Sequence, residues 1–291
     1  MKLRNYCMTA SLLDFSARAD LDWLADLIGD ARRAVPSVQW LIVGALARDL
    51  HLSYAHGIRI DRVTTDTDLA LAIADWTEFA DVRSALLASG NFLADTRVDH
   101  KLLHRSQRAL DVVPFGDIED RSGVIAWPPS GATTMSVVGY REALASSIVL
   151  KLPREQHARI PSIAGLIVLK FIAWSERHSR APGKDAYDLR LVLTHYLDAG
   201  NLQRLYEDHV DLIDEDFDYP LTSARFAGRD VSALLRRHGD QARAVRRRLD
   251  SILGSEVDPE GRRLLIGQAG ALDPEGFRMQ LAAFQRGLAE G

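Results

Sequence analysis

The residues Arg62-Val63-Thr64-Thr65-Asp66-Thr67-Asp68-Leu69-Ala70-Leu71 contain the strongest indication of how this chain folds. The apolar end of this stretch predicts a buried strand, and side chains two positions apart in a strand point to the same face. Asp66 and Asp68 are therefore expected side by side. At an effective dielectric of about 20 and a separation of about 5 Å, their repulsion is about 3 kcal/mol. A magnesium ion, which prefers one or two carboxylates together with substrate phosphates, would relieve this repulsion, and so would basic side chains or water.

The composition is that of an ordinary globular protein. The chain has 291 residues, of which 47% are hydrophobic and 26% charged, with a net charge of −4, which argues against a nucleic-acid coat protein or a membrane-surface protein. Cys7 is the single cysteine, so no internal disulfide is possible, and a reducing compartment is indicated. Residues 1–6 lead into no apolar segment, and the most apolar window, 163–174, contains Lys170 and is too short for a membrane span. We expect a cytoplasmic protein without a signal peptide.

The hydrophobic periodicity divides the chain into two halves, with a boundary near residue 155. In the first half it predicts helices at 21–35, at 44–50 and from Asp75 to about Gly90. It predicts strands at 39–43, 66–71, 97–104 and 109–115, and edge strands at 135–139 and 147–152. The second half is predicted to be helical at 163–178, 184–199, 223–238, 241–253 and 274–288. The fold class is therefore α+β, with residues 1–155 as an α/β domain and residues 156–291 as a helical domain.

Glycine 44 follows a short apolar strand and begins a predicted helix. A glycine at such a turn lets backbone N–H groups approach a phosphate at the start of the helix, although many such glycines only make a tight turn. The two aspartates of the first stretch also have an alternative interpretation. They could be neutralised locally by basic residues, of which the candidates are Arg48, Arg59 and Arg62.

Asp111 lies inside the near-continuous apolar strand predicted at 109–115. A buried lone carboxylate is costly, so Asp111 must bind a metal ion or form a salt bridge, to Arg108 or Lys101. Three carboxylates from two neighbouring strands would hold two divalent cations, the arrangement used for in-line phosphoryl or nucleotidyl transfer. Lys170 lies in an apolar helix, where it either extends along the helix to solvent or reaches into a site.

Two further groups of charged residues each have a functional and an ordinary interpretation. Asp185 and Asp188 lie one turn apart at the start of a predicted helix, where carboxylates also stabilise the helix N-terminus. Eight arginines within a short window of the second half would suit an RNA backbone, but their interleaving with aspartates favours solvated helix faces. These arginines are Arg225, Arg229, Arg236, Arg237, Arg243, Arg246, Arg247 and Arg248.

Together these residues resemble the nucleotidyltransferase superfamily related to DNA polymerase β, and more closely its branch of AbiEii- and MenT-type toxins. The superfamily pattern of a glycine with a small residue, Asp-x-Asp and a later aspartate is matched by Gly44-Ala45, Asp66-x-Asp68 and Asp111. The Leu-x-x-x-Lys-x-x-Ala helix of the toxin branch is matched by Leu166, Lys170 and Ala173. The resemblance spans roughly residues 38–195, and Asp185 and Asp188 compete for the place of a further aspartate.

The resemblance implies a nucleotidyltransferase-type mixed sheet flanked by helices, with the helical domain completing the nucleotide site. It implies transfer of a nucleoside monophosphate from a nucleoside triphosphate (NTP) to an acceptor hydroxyl, with Mg²⁺ or Mn²⁺ as cofactor. The implied partners are a tRNA 3′ end as acceptor and a cognate antitoxin.

The resemblance also implies roles for individual residues. Asp66, Asp68 and Asp111 would bind the metal ions, and Asp111 would help to deprotonate the acceptor. The implied catalytic set also contains Lys170 and Asp185, and the implied nucleotide-binding set is Gly44, Ala45, Arg48, Lys170 and Asp188. Ala45 departs from the usual Gly-Ser or Gly-Gly and removes a hydroxyl, and the spacing from Gly44 to Asp66 is longer than usual. A nucleotide-binding regulatory pseudoenzyme and a non-enzymatic interaction protein therefore remain as alternatives.

Overall fold

The computed structural model describes residues 12–62, 66–95, 98, 100–254 and 259–291. Cys7 and the N-terminal residues considered above lie outside the described residues, as do residues 63–65 and Arg97. The described residues contain ten strands: β1 (Leu12–Asp14), β2 (Trp40–Val43), β3 (Thr67–Ile73), β4 (Phe92–Ala94), β5 (Lys101–His104), β6 (Ala109–Gly116), β7 (Val124–Ala126), β8 (Thr134–Ser136), β9 (Ile148–Lys151) and β10 (His157–Ile160).

Eleven α-helices occur in the same part of the chain, and short 3₁₀ or π segments connect several of them. The helices are α1 (Asp22–Ala34), α2 (Gly44–Asp49), α3 (Trp76–Ala88), α4 (Tyr140–Ala145), α5 (Ile163–Arg177), α6 (Lys184–Thr194), α7 (Leu202–Asp208), α8 (Tyr219–His238), α9 (Arg243–Leu253), α10 (Pro259–Gln268) and α11 (Pro274–Glu290). No helix in these described ranges is both long and apolar enough to cross a membrane.

A five-stranded mixed sheet forms the centre of the first half, with the strand order β2-β3-β6-β5-β4. Strands β3 and β6 are parallel, and the other neighbouring pairs are antiparallel. Side chains from β3 and β6 are buried on both faces, which explains their near-continuous apolar sequences. The predicted α+β class, with a mixed sheet flanked by helices and a helical C-terminal region, is confirmed.

The two faces of this sheet contact different helices. Leu69 and Leu71 of β3 belong to the large core cluster that includes residues of α1 and α3. Ala70 belongs to a smaller cluster that includes Ala143 of α4 and Leu169 of α5. Because side chains alternate along a strand, Asp68 shares the face of Ala70. The carboxylate of Asp68 therefore points to the side of the sheet where α4 and α5 pack.

The helical half shares the large core cluster with the sheet, since that cluster extends from Phe15 to Leu288. Helices α8 and α11 approach each other closely at Gly228 and Gly287. A Cβ atom at Gly287 would lie 1.9 Å from the backbone oxygen of Arg225, so only glycine allows this contact. The domain boundary near residue 155 stays a prediction, and β10, which lies just after it, pairs with β9.

Several element bounds differ from the sequence expectations for identifiable reasons. Strand β3 begins at Thr67, so Asp66 precedes it. Strand β9 was expected at an edge but is the middle strand of a second sheet, β1-β9-β10, because β1 and β10 both pair with it. Helix α6 ends at Thr194 rather than at residue 199, and Gly200 with a φ of +86° interrupts the next helical segment. Helix α10 was not expected.

Candidate active site

Asp68 and Asp111 are direct neighbours across the parallel strands β3 and β6. In the described residues, the Asp68 carboxylate makes no hydrogen bond or ion pair, and it packs against Gly44. A Cβ atom at Gly44 would lie 1.9 Å from Asp68 Oδ2, and the φ of Gly44 is +70°. Both facts require glycine at this position, since the left-handed region disfavours other residues. The predicted turn therefore positions Asp68 through a steric contact.

Burial and the charge of Asp111 raise the pKa of Asp68, while the positive charges of Lys170, Lys184 and Arg177 act in the opposite direction. Burial, the largest of these effects, thus disfavours the ionised form of Asp68. A divalent cation would favour the ionised form of this carboxylate.

Lys101 on the adjacent strand β5 partly neutralises Asp111. Its Nζ atom donates a hydrogen bond to Asp111 Oδ2 at 2.9 Å and lies 2.8 Å from Oδ1. The salt bridge to Lys101 that the sequence allowed is therefore present. Asp111 Oδ1 is nevertheless buried without a hydrogen bond of good geometry, so it retains the capacity to bind another cation.

Asp66 is exposed and lies one residue before β3. Its charge reaches the same region: burial lowers the pKa of Lys101, but Asp111, Asp66 and Asp68 together raise it above its usual value. Within the described ranges, no group of three or more His, Cys, Asp or Glu side chains has the geometry of a metal site. The structure thus brings Asp68 and Asp111 together and leaves Asp66 at the margin.

The residues at this site fit a magnesium or manganese ion. Asp68 has no ion pair or hydrogen bond to any described residue, and Asp111 has a buried oxygen that lacks a hydrogen bond. These two neighbouring carboxylates match the preference of Mg²⁺ for one or two carboxylates plus phosphate oxygens. Asp68 and Asp111 would hold the ion.

The predicted residues of the helical half form a buried ionic network behind this pair. Lys170 of α5 is only 3% exposed, and its Nζ atom lies 2.5 Å from Asp188 Oδ2 and 3.4 Å from Asp185 Oδ1. Asp188 also pairs with Arg48 of α2, which is fully buried and bonds to Asp49 as well. The network therefore joins α2, α5 and α6 at one point.

Arg177 completes the network and was not among the predicted site residues. Its Nε and Nη2 atoms bind the two oxygens of Asp185 at 2.7 and 2.8 Å. Burial acts to raise the pKa of Asp185, but Arg177 and Lys170 lower it below its usual value. Arg177 lies seven residues after Lys170, on the same helix face, and this spacing was the sequence signal that could have identified it.

Arg59 and Arg62, which the sequence offered as partners of Asp66 and Asp68, lie close to other carboxylates than Asp68. Arg59 pairs with Asp61, and Arg62 lies 4.0 Å from Asp188. Ala45 is buried in α2 beside Gly44. Tyr140 of α4 lies near the site, where burial and the charge of Asp68 raise its pKa, and no local pattern in the sequence indicated it.

A cavity of about 690 Å³ lies beside α2, at the end of the sheet where β3 and β6 begin. Arg62 belongs to its lining and also approaches Asp188, so the cavity borders the ionic network. Two of its aromatic rings have an arginine over them: Arg108 over Trp23 at 4.2 Å and Arg18 over Tyr54 at 5.0 Å. The lining is thus both basic and aromatic.

The arginines predicted on the second half are partly neutralised. Arg225 pairs with Glu290, Arg229 with Asp211 and Glu290, and Arg248 with Glu176. These pairs agree with the interpretation as solvated helix faces.

A family model described as "Nucleotidyl transferase AbiEii toxin, Type IV TA system" matches residues 31–265. No curated protein sequence matches the chain. Among solved structures, the chain is similar to the antibiotic-resistance factor ANT(2″)-Ia, with 15% identity and a TM-score of 0.34, over 66% of this chain and 95% of that one.

Proposed function

The chain belongs to the AbiEii family of nucleotidyl transferase toxins of type IV toxin–antitoxin systems, and from this premise we propose a metal-dependent reaction with an RNA acceptor. The acceptor hydroxyl, at a tRNA 3′ end, attacks the α-phosphorus of an NTP. A new P–O bond forms, the bond to the pyrophosphate oxygen breaks, and the proton of the hydroxyl leaves to a base.

The observation that best supports this proposal is the pairing of Asp68 with Asp111 beside Gly44. Mg²⁺ prefers one or two carboxylates together with substrate phosphates, and Asp68 has no ion pair in the described part of the chain. Mg²⁺ or Mn²⁺ held by Asp68 and Asp111 would neutralise the phosphate oxygens and favour loss of pyrophosphate. Asp66 would add a carboxylate from the edge of the site, and Asp111 would help to accept the proton.

The residues of the ionic network would fix the geometry of the nucleotide site. Helix α2, which begins with Gly44 and Ala45, is joined to α5 and α6 by ion pairs. The residues that form these pairs are Lys170, Arg48, Asp185 and Asp188. Because this connection is buried, it would keep the turn at Gly44 in a constant position relative to the carboxylates. A preorganised site of this kind lowers the cost of positioning the reactants.

The cavity beside α2 would bind a part of the RNA acceptor away from the carboxylates, since Asp68 and Asp111 do not line it. Its basic side chains suit phosphates, and its aromatic rings suit bases. The proposed reaction would take place in the cytoplasm, where NTPs and tRNA occur together. Membership in a toxin–antitoxin family also implies an antitoxin, which would have to limit the activity or its consequences.

The test is incubation with Mg²⁺, total tRNA and each labelled NTP in turn. We expect the wild type to label RNA, and we expect Asp68→Asn and Asp66→Asn to abolish labelling. Asp81→Asn is the matched control, because Asp81 is an exposed aspartate on α3. It should label RNA as the wild type does.

The other outcomes distinguish the alternatives. If calorimetry shows that the wild type binds an NTP but the protein labels neither RNA nor protein, the proposed nucleotidyl transfer would be contradicted. That result would support the regulatory alternative that Ala45 suggests. Wild-type protein that binds no NTP would leave only the interaction protein.

A further inference from the structure

The charge of Lys170 is already balanced within the protein. In the described part of the chain, the cations Lys170, Arg48 and Arg177 bind the carboxylates Asp49, Asp185 and Asp188, and Arg62 lies 4.0 Å from Asp188. Lys170 is 3% exposed and has two carboxylate partners. Binding a phosphate would require it to give up one of these buried ion pairs, which is costly.

Lys184 differs from every other basic residue near Asp68. It is the first residue of α6, it is half-buried, and it has no ion pair or side-chain hydrogen bond in the described part of the chain. By contrast, Lys101 is bound to Asp111, and Arg177 to both oxygens of Asp185. Among the described residues, Lys184 is therefore a cation near Asp68 that is available to a ligand.

The position of Lys184 on α6 directs it toward the site. Lys184 and Asp188 are four residues apart and therefore lie on the same face of the helix, one turn from each other. Asp188 on that face contacts α5 through Lys170 and α2 through Arg48. Lys184 is also close enough to Asp68 for their charges to interact.

We propose that Lys184 is the binding residue for the triphosphate of the NTP, and that Lys170 is a positioning residue that holds α5 and α6 together behind it. This inference rests on the function proposed above. The mobile four-carbon stem of a lysine lets its ammonium group follow the phosphates from the turn at the start of α6. The buried ion pairs between α5 and α6 would keep that turn at a fixed distance from Asp68 and Asp111.

The proposal predicts a dependence on the number of phosphates. A residue that contacts the β- or γ-phosphate contributes to the binding of a triphosphate and contributes little to the binding of a nucleoside. Removing one charge-assisted hydrogen bond to phosphate is expected to weaken binding about tenfold or more.

The experiment is isothermal titration of wild type, Lys184→Ala, Lys184→Arg and Arg180→Ala with each NTP, and with the matching nucleoside, in the presence of Mg²⁺. Arg180 is the matched control because it is an exposed cation four residues away, outside the site. We expect Lys184→Ala to lose about tenfold or more in NTP affinity. Lys184→Arg should retain most of it, and Arg180→Ala should bind as the wild type does. Nucleoside affinity should change little.

Two results would overturn the inference. One is NTP affinity of Lys184→Ala equal to that of the wild type; the other is an equal loss for nucleoside and triphosphate. Thermal melting of Lys184→Ala should match the wild type, which excludes unfolding as the cause of a loss. If the wild type itself binds none of the four NTPs, the proposed function fails and this inference fails with it, so the two failures are distinguishable.

Discussion

Replacing Gly44 by alanine should separate the catalytic role of this turn from its backbone role. The φ of Gly44 is +70°, and the added Cβ atom would lie 1.9 Å from Asp68 Oδ2. The matched control is Gly90→Ala. Gly90 has a φ of +74°, but a Cβ atom there would meet no atom within 4 Å.

The structure gives separate magnitudes for the two effects. The left-handed conformation costs an alanine about 1–2 kcal/mol, and both variants should lose this amount of unfolding free energy. In Gly44→Ala, the Asp68 carboxylate must also retreat by about 1.5 Å, the difference between 1.9 Å and an ordinary contact of 3.4 Å. Since a misplacement of about 1 Å can cost roughly 100-fold in rate, transfer activity should fall by a factor of about 100 or more.

Urea unfolding measures the first effect, and labelling of RNA by a labelled NTP measures the second. Gly90→Ala should lose stability and keep its activity, whereas Gly44→Ala should lose both. If Gly44→Ala transferred nucleotides as fast as Gly90→Ala, the contact between Gly44 and Asp68 would not position the carboxylate, and the reasoning would be refuted.

Two further predictions concern buried charged groups. Lys170→Ala should lower the unfolding free energy by about 3–5 kcal/mol, because it leaves Asp185 and Asp188 without their shared buried partner. Lys184→Ala should change the unfolding free energy by less than about 0.5 kcal/mol. Equal urea midpoints for the two variants would contradict this difference. His51 donates a hydrogen bond from Nε2 to the oxygen of Pro161 at 2.8 Å, and burial lowers its pKa from 6.5 to about 4. The buried neutral form of His51 therefore stabilises the fold fully above pH 6.5, and this stability is lost as the pH falls toward 4. The wild type should lose about 2–3 kcal/mol more unfolding free energy between pH 7 and pH 4.5 than His51→Gln does. Equal pH profiles of the two proteins would count against this assignment.

The sequence predicted those parts of the structure that depend on local patterns. Asp75 caps α3 by accepting a hydrogen bond from the backbone N–H of Glu78, and Gly90 follows the end of that helix with a positive φ. Local periodicity and turn chemistry were sufficient for this helix. The expectation that β3 and β6 are neighbours came instead from the interpretation of their aspartates as one metal site, and the pairing of Asp68 with Asp111 agrees with it.

The partners of the charged residues were not predictable in the same way. Arg48 binds Asp188, which lies 140 positions later in the chain, and no local pattern indicates such a pair. The sequence indicated Lys170 as a residue that binds phosphate, and no local pattern distinguished Lys184. The two lysines differ because the fold gives the first two carboxylate partners and gives the second none within the described residues.

The parallel pairing of β3 and β6 has a consequence for the order of folding. Parallel neighbours cannot be joined by a hairpin, so the segment that contains α3, β4 and β5 has to lead from the end of β3 back to the start of β6 before Asp68 and Asp111 can meet. Contacts between residues so far apart in the chain are associated with slow folding, because the connecting segment loses conformational entropy. A chain in which β3 and β6 have not yet paired therefore lacks the two neighbouring carboxylates, and with them the proposed metal site.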